Sequence, residues 1–553
     1  MKICAQNNIT FQRRLKPSEE AEYSHVLNSA KSKGKSVLIV PATSLPNQTG
    51  VGNLGSKESL EFFDFAKKYW GVNEIQILPM GQYHFHNNEV PVYSGTSMDL
   101  GNHVINLEYY TNEKPNTKIH NKVDFKNVIE ENSSQEKILK KLYEDKKFKP
   151  EFEQFKAENS ARLESKAIYR ALRELNGTHD YKQWNDIDKN LYELPPDKRT
   201  KRIEEIKKLK GKEIDFYYFK QFLAEDSLKR AKAELNKRGL KLNGDMLCGF
   251  SFDEVWANPK AFHKDTTIGW GLPALNFDTQ ESEKLLREKV KFYAQRYDGI
   301  RVDASSTYVE QPNIKNGAEQ KRYYGNKILD IIDEEFKKVK GNQFDIKNIM
   351  HEHLHNNGNR LGIHTSDHLS SDWGSNKSFL RQDWSPDTFI IGAKNHDSPV
   401  SGMSGEQKKA LSEIYGEIKN EKEFMKAKLA EPMSAKHNML YFMDALNIKG
   451  QFQNNIDRSE NYAKLIPQNY QEQYFKALEN GEGFNPMDAL ERNFKAQGLD
   501  KKDPKLFTKI VKYRKILEQK EKQTHPALKW ICGIVCSGLM LYGLCKDRKK
   551  SKN

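Results

Sequence analysis

The chain has 553 residues, of which 37% are hydrophobic and 30% charged, with 28 Phe and 24 Tyr. That is enough apolar and aromatic material for a packed core, which excludes global disorder, and too much chain for one core of ordinary size. The formal charge of +14 comes from 90 Lys and Arg interleaved with 76 Asp and Glu. There is no zinc finger, no RNA-binding aromatic signature and no long basic tract before the last residues. The excess therefore reads as a solvated lysine-rich surface, and no nucleic-acid partner is expected. Cys4 and Cys248 stand alone and Cys532, Cys536 and Cys545 cluster near the end. This is no disulfide framework, so a reducing compartment, the cytoplasm, is expected for the main body. The first sixteen residues lack the apolar core of a signal peptide.

In chain order, Val37–Val40 is a short β-rich run closed by Pro41, which suits a buried strand. Gly50, Gly52 and Gly55 loosen the loop that follows. Ser56 can cap a helix in which Leu60, Phe63, Ala66 and Trp70 recur at helical spacing. EIQILPMG is a second β-rich run, so strand, helix and strand form a βαβ unit and imply a parallel sheet. From 112 to 235 the chain is crowded with Lys, Glu and Asp at helical spacing, and it reads as a helical insert ending at Lys237–Gly239.

Strand signals resume at GLKLNGDM, and EKLLREKVKFYAQRYDGIRVDA reads as a helix feeding a strand. IKNIMHEHLH and TFIIGAKNHD are further strands with polar ends, and 431–517 reads as helical. The recurring theme is a strand whose C-terminal end carries ionisable residues, the catalytic end of a parallel barrel. A doubly wound sheet competes, but no nucleotide-binding glycine motif supports it. The expected architecture is an α/β (β/α)₈ TIM barrel. Residues 1–111 begin it, 112–235 are the helical insert and 236–517 complete it, with a second insert near 253–277. Residues 518–553 form a linker, an apolar helix and a basic tail. Within that tail, 527–545 are apolar or small apart from Lys529 and are followed by KDRKKSKN. The expectation is a C-terminal membrane helix, with a buried terminal helix as the alternative.

Three strand ends carry carboxylates. In GIRVDAS, alternation puts Arg301 and Asp303 on one side of a strand, and an Arg beside an Asp keeps the acid ionised, as a nucleophile requires. In NIMHEHLH, Glu352 follows an apolar start, where burial favours a retained proton and a general acid. In IGAKNHDSP, His396 and Asp397 precede a proline. Taken singly, each has a plain structural reading as an ion pair or a turn. Together they offer what retaining glycosyl transfer needs, two carboxyl groups about 5–5.5 Å apart with a third acid nearby. His351, Glu352 and His355 also match the H-E-x-x-H pattern of zinc proteases, with His364 or His368 as a third ligand. That pattern needs a helix, and Asn356, Asn357 and Gly358 would end one at once.

The same segments resemble the 4-α-glucanotransferases, or amylomaltases, of glycoside hydrolase family 77 over roughly residues 37–480. GVGNLG, EIQILPMG and VPVYSGTSMDLGNHVINLE resemble the family's opening segments, with Tyr93 and Ser97 kept. LNGDMLCGFSFDEVWANPKAF resembles its Gly-Asp-x-Pro and Asp-x-Trp-Ala-Asn-Pro segment, and WGLPALNFD its Trp-Gly-Asn-Pro segment. GIRVDAS, IMHEHLH and KNHDSPV are similar to its nucleophile, general-acid and His-Asp segments. The resemblance implies catalytic roles for Asp303, Glu352 and Asp397, and substrate contacts for Tyr93, Asp245, Trp256, Arg301 and His396. It implies α-1,4-glucans and maltooligosaccharides as substrates and no metal or cofactor. The chain departs from the family at Ile75, Leu272, Ala304 and His353. The rival readings are an α-glucan hydrolase, which would use the same carboxylates, and a catalytically silent carbohydrate-binding protein.

Overall fold

The apolar run at 37–40 becomes a four-residue strand buried along its whole length, as a strand covered on both faces must be. In a computed structural model of the protein, the described residues are 15–519 apart from 32, 85–89, 91, 117–121, 130–132, 316–317, 355–357, 366–386, 395, 397–404 and 449–463. Their strands are β1 (Ser36–Ile39), β2 (Glu74–Gln76), β3 (Lys241–Met246), β4 (Phe262–Thr267), β5 (Pro273–Leu275) and β6 (Gly299–Val302). The chain continues with β7 (Glu310–Lys315), β8 (Ala318–Tyr323), β9 (Ile349–Glu352), β10 (Leu361–Thr365), β11 (Phe389–Gly392) and β12 (His437–Tyr441).

Strands β1, β2, β3, β6, β9, β10, β11 and β12 close into a barrel in that order, each parallel to its neighbours. Helices surround it. Lys57–Trp70 links β1 to β2, with Ser56 accepting the Ser59 N–H at 3.3 Å at its start and left-handed Gly71 at its end. Phe62, Phe65 and Trp70 bury edge-on against Tyr470 and Tyr474, while Leu60 is only partly buried. Gln280–Arg296 leads into β6, and Lys327–Lys340 precedes β9.

The insert holds the long helices Lys149–Asn176 and Pro196–Lys237, which run antiparallel. Phe152, early in the first, meets Phe219 and Phe222, late in the second, and Glu174 pairs with Lys210. The expected second insert is larger than 253–277. Strands β4, β5, β7 and β8 form a separate antiparallel sheet drawn from the chain after β3 and after β6. The helical reading of 431–517 is corrected at β12, which closes the barrel on β1.

At the N-terminal end of the barrel, Lys35 is buried with its Nζ 2.7 Å from Glu74 and 3.1 Å from Asn348 Oδ1, and Asn243 donates to Glu74 at 2.8 Å. The N-terminal parts of β1, β2 and β3 and the start of β9 are thereby joined through one charge pair. Among the described residues no helix is long and apolar enough to cross a membrane. Residues 527–545 lie outside the described residues.

Candidate functional site

Three consecutive strands of the barrel deliver ionisable side chains to its C-terminal end. Asp245 is next to last on β3, Arg301 lies on β6 with Asp303 just after it, and Glu352 ends β9. Arg301 is the hub. It is fully buried, and its Nη1 donates to Asp245 Oδ1 at 2.7 Å. Its Nη2 lies 3.2 Å from Asp303 Oδ1 and 2.6 Å from Glu352 Oε1. Burial opposes the Arg301 charge, and Asp245, Glu352, Tyr93 and Asp303 more than offset it, so its pKa is raised and it stays protonated. Two carboxyl oxygens held on one nitrogen at those distances are within about 6 Å of each other, so the two acids share one site.

The two carboxylates are fixed from behind as well. Glu352 Oε2 accepts the Ala304 N–H at 3.1 Å, and the Glu352 carbonyl accepts the Ser305 N–H at 2.9 Å. Ala304 and His353, each directly after a carboxylate, turn the chain with left-handed φ values of 43° and 53°. Asp303 Oδ2 accepts the Cys248 N–H at 3.4 Å. Asp303 keeps 15% of its side chain exposed against 5% for Glu352 and 0% for Asp245, so it is the acid of the three most open to a ligand.

Tyr93 and His396 extend the cluster. The Tyr93 hydroxyl donates its one proton to Asp245 Oδ2 at 2.6 Å and accepts from Arg301 Nη1 at 3.3 Å. His396 Nε2 is hydrogen-bonded to the same oxygen, and since that proton is already given, the ring must donate from Nε2. The two rings lie parallel at 5.7 Å. Burial raises the Asp245 pKa, with Arg301 and His396 acting against it.

The structure thus brings Tyr93, Asp245, Arg301, Asp303, Glu352 and His396 into one network. Trp256 is not in it. It lies on the short helix Phe252–Ala257, where it is buried against Tyr169, Trp184 and Tyr192 and donates from Nε1 to the Asp188 carbonyl at 2.9 Å. Its surface goes to docking the insert. Asp397, His355 and His368 lie outside the described residues. The zinc-site reading is overturned at its premise. Residues 349–352 are a strand, so His351 and Glu352 point to opposite faces, and His351 is buried with Nδ1 at 3.1 Å from Ser305 Oγ. Among the described residues no group of three or more His, Cys, Asp or Glu could hold a metal.

A family model described as 4-alpha-glucanotransferase matches residues 40–340, more than half of the chain. The chain belongs to glycoside hydrolase family 77. The family match includes Tyr93, Asp245, Arg301 and Asp303 and stops short of Glu352. The 4-alpha-glucanotransferase of Aquifex aeolicus is 27% identical over 309 residues, 48% of this chain and 58% of that enzyme. That of Thermus thermophilus is 29% identical over 284 residues, 44% of this chain and 53% of the enzyme. The chain therefore matches little more than half the length of these relatives. A solved amylomaltase from Streptococcus agalactiae, in complex with acarbose, superposes with a TM-score of 0.66 over 84% of this chain and 99% of its own. At 17% identity that likeness is one of fold.

Proposed function

We propose that this family 77 member is a 4-α-glucanotransferase that moves α-1,4-glucan segments between maltooligosaccharides with retention. The observation that carries the reading is the single Arg301 nitrogen shared by Asp303 and Glu352, which holds two carboxylates of adjacent strands together, as a retaining pair requires. Asp303 attacks C1 of the donor glucose while Glu352 protonates the departing glycosidic oxygen. The reducing-end fragment leaves, and the glycosyl group stays on Asp303 as an ester. Glu352 then takes the proton of an acceptor 4-OH, that oxygen attacks C1, and Asp303 is released as the new bond forms. Arg301 supports the carboxylate form of Asp303 before attack and after release. Asp245, Tyr93 and His396 belong to the same hydrogen-bonded network and supply partners for sugar hydroxyls. Asp397, next to His396, is proposed as the third acid, acting on the oxocarbenium-like sugar. The reaction requires no cofactor.

Maltotriose decides between transfer and hydrolysis. A transferase gives glucose and a ladder of longer glucans, a hydrolase gives only shorter products, and binding without turnover leaves a silent carbohydrate-binding protein. We further propose that 527–545 attach the protein to a membrane with the catalytic barrel in the cytoplasm. The support is the apolar run Trp530–Cys545 and the basic residues after it. Full-length protein should fractionate with membranes and protein truncated before Ala527 should not. Full-length protein that stays in the soluble fraction without detergent overturns the attachment.

A further inference from the structure

Lys289 sits on the helix Gln280–Arg296 and is fully buried. Among the described residues no carboxylate forms an ion pair with it. Its Nζ donates to the Leu247 carbonyl at 2.5 Å and to the Gly249 carbonyl at 2.6 Å, and stands 4.2 Å from the centre of the Phe250 ring. Tyr308 donates to the intervening Cys248 carbonyl at 3.2 Å. Three successive carbonyls of the loop after β3, those of Leu247, Cys248 and Gly249, are therefore held by buried donors. Leu272 closes the other side, since a Cβ on Gly249 would stand 2.7 Å from Leu272 Cδ1.

In a trans peptide the C=O and N–H point in opposite directions. The unit whose oxygen meets Lys289 is Leu247–Cys248, and its N–H is the one that donates to Asp303 Oδ2. A cation on the oxygen end of an amide polarises the N–H end into a better donor. We infer that Lys289 is a positioning residue for Asp303, acting across the Leu247–Cys248 peptide bond to hold and stabilise its carboxylate. The inference rests on the proposed role of Asp303 and adds a residue to it.

Other groups face Asp303. Arg301 comes from β6, Glu352 from β9, the Cys248 thiol from the loop after β3, Tyr308 from the chain after β6, and Tyr293 from the same helix as Lys289. Burial and then Asp303 push the Cys248 thiol well up, so it is neutral. Burial lowers Lys289 to about 8, with Cys248, Asp303 and Glu254 opposing. It is cationic below that, where the acid limb of the rate profile is read.

The test is the acid limb of kcat/KM for maltotriose in Lys289→Arg, Lys289→Gln and Lys289→Met, with circular dichroism and melting curves alongside. Arg should stay near wild type. Gln and Met should move the limb up by about one pH unit and lower kcat about tenfold with KM little changed. An identical limb in Gln and Arg overturns the inference, and so does a kcat loss that only follows the melting temperature. If Met fails to fold, the Gln and Arg pair still decides. Carbon-13 NMR of labelled aspartate, assigned with Asp303→Asn, reads the same shift without turnover. An inactive wild type would thus defeat the functional reading and still leave this one decided.

Discussion

Arg301 Nη2 stands 2.6 Å from Glu352 Oε1, so the residue proposed to give up a proton is held by a permanent cation. The contact is part of a wider sharing. Arg301 meets Asp245 from the strand on one side and Glu352 from the strand on the other, and Asp303 follows it on its own strand. One side chain thereby sets the spacing of three acids, and Arg is suited to this because its planar fork offers several donors in fixed directions. Charge balance here depends on the barrel order, since β3, β6 and β9 are separated in sequence by the antiparallel sheet and its helices.

The Lys35–Glu74 pair offers a stability test remote from the site. It lies buried at the opposite end of the barrel. Lys35→Met leaves Glu74 buried with only Asn243 as a side-chain donor, and should cost about 3–5 kcal/mol in urea unfolding. Turnover per folded molecule should be unchanged. A cost under about 1 kcal/mol would mean that the pair is no better than a surface one.

Glu254 carries a pH dependence. Lys166 sits between Asp253, at 2.8 Å, and Glu254, with one positive charge for two buried acids. Burial raises the Asp253 pKa and Lys166 more than offsets it, whereas burial pushes Glu254 up to about 7 against Lys166. A carboxyl whose folded pKa exceeds its ordinary 4.5 binds its proton more tightly when folded. It costs nothing below that value and subtracts stability as pH rises through about 7. Glu254→Gln should therefore gain about 2 kcal/mol relative to wild type at pH 8 compared with pH 4, measured by denaturant melts. A difference independent of pH would refute this.

His353 is exposed and left-handed, directly after Glu352. Asp tolerates this conformation, while a β-branched side chain does not. His353→Asp should fold and keep or raise transfer near neutral pH. His353→Val should lower stability by about 1 kcal/mol or more. A large activity loss in the folded Asp variant would assign the histidine a role of its own.

Much of this barrel could be read from short apolar runs, closed by Pro41 at β1 and ending in ionisable residues at β3, β6, β9 and β11. β10, LGIHT, and β12, HNMLY, escaped because Gly362, His364, His437 and Asn438 dilute the pattern, and only closure of the barrel requires strands there. β7 and β8, EQPNIK and AEQKRY, are too polar to stand out and owe their state to pairing with each other. Asp303 and Glu352 were legible because alternation and strand ends locate them. Lys289 was not, because a lysine in an amphipathic helix reads as solvated, and nothing local reports the carbonyls of a loop 40 and 42 residues away. Trp256 is the opposite case. An aromatic near a sugar-binding segment suggests a platform, and here the insert takes it as core.

The reading of the site stands on separating Asp303 from Glu352 by chemistry. Asp303→Asn should remove at least about a thousandfold of maltotriose turnover, because an amide neither attacks C1 nor leaves as a carboxylate. Glu352→Gln should lose transfer from maltotriose to a similar degree, since the departing sugar oxygen needs a proton. The two variants part company on a donor whose leaving group needs none. With α-glucosyl fluoride, Glu352→Gln should still form the ester on Asp303, seen as a mass increase of one glucosyl unit, and azide should speed its release without a general base. Asp303→Asn should gain no mass from the same donor. Both variants keep the size of the replaced side chain beside Arg301, so their circular dichroism should match the wild type. A glucosyl adduct on Asp303→Asn, or none on folded Glu352→Gln, would reverse or remove the assigned roles. Retained activity in both would put the reaction elsewhere in the barrel.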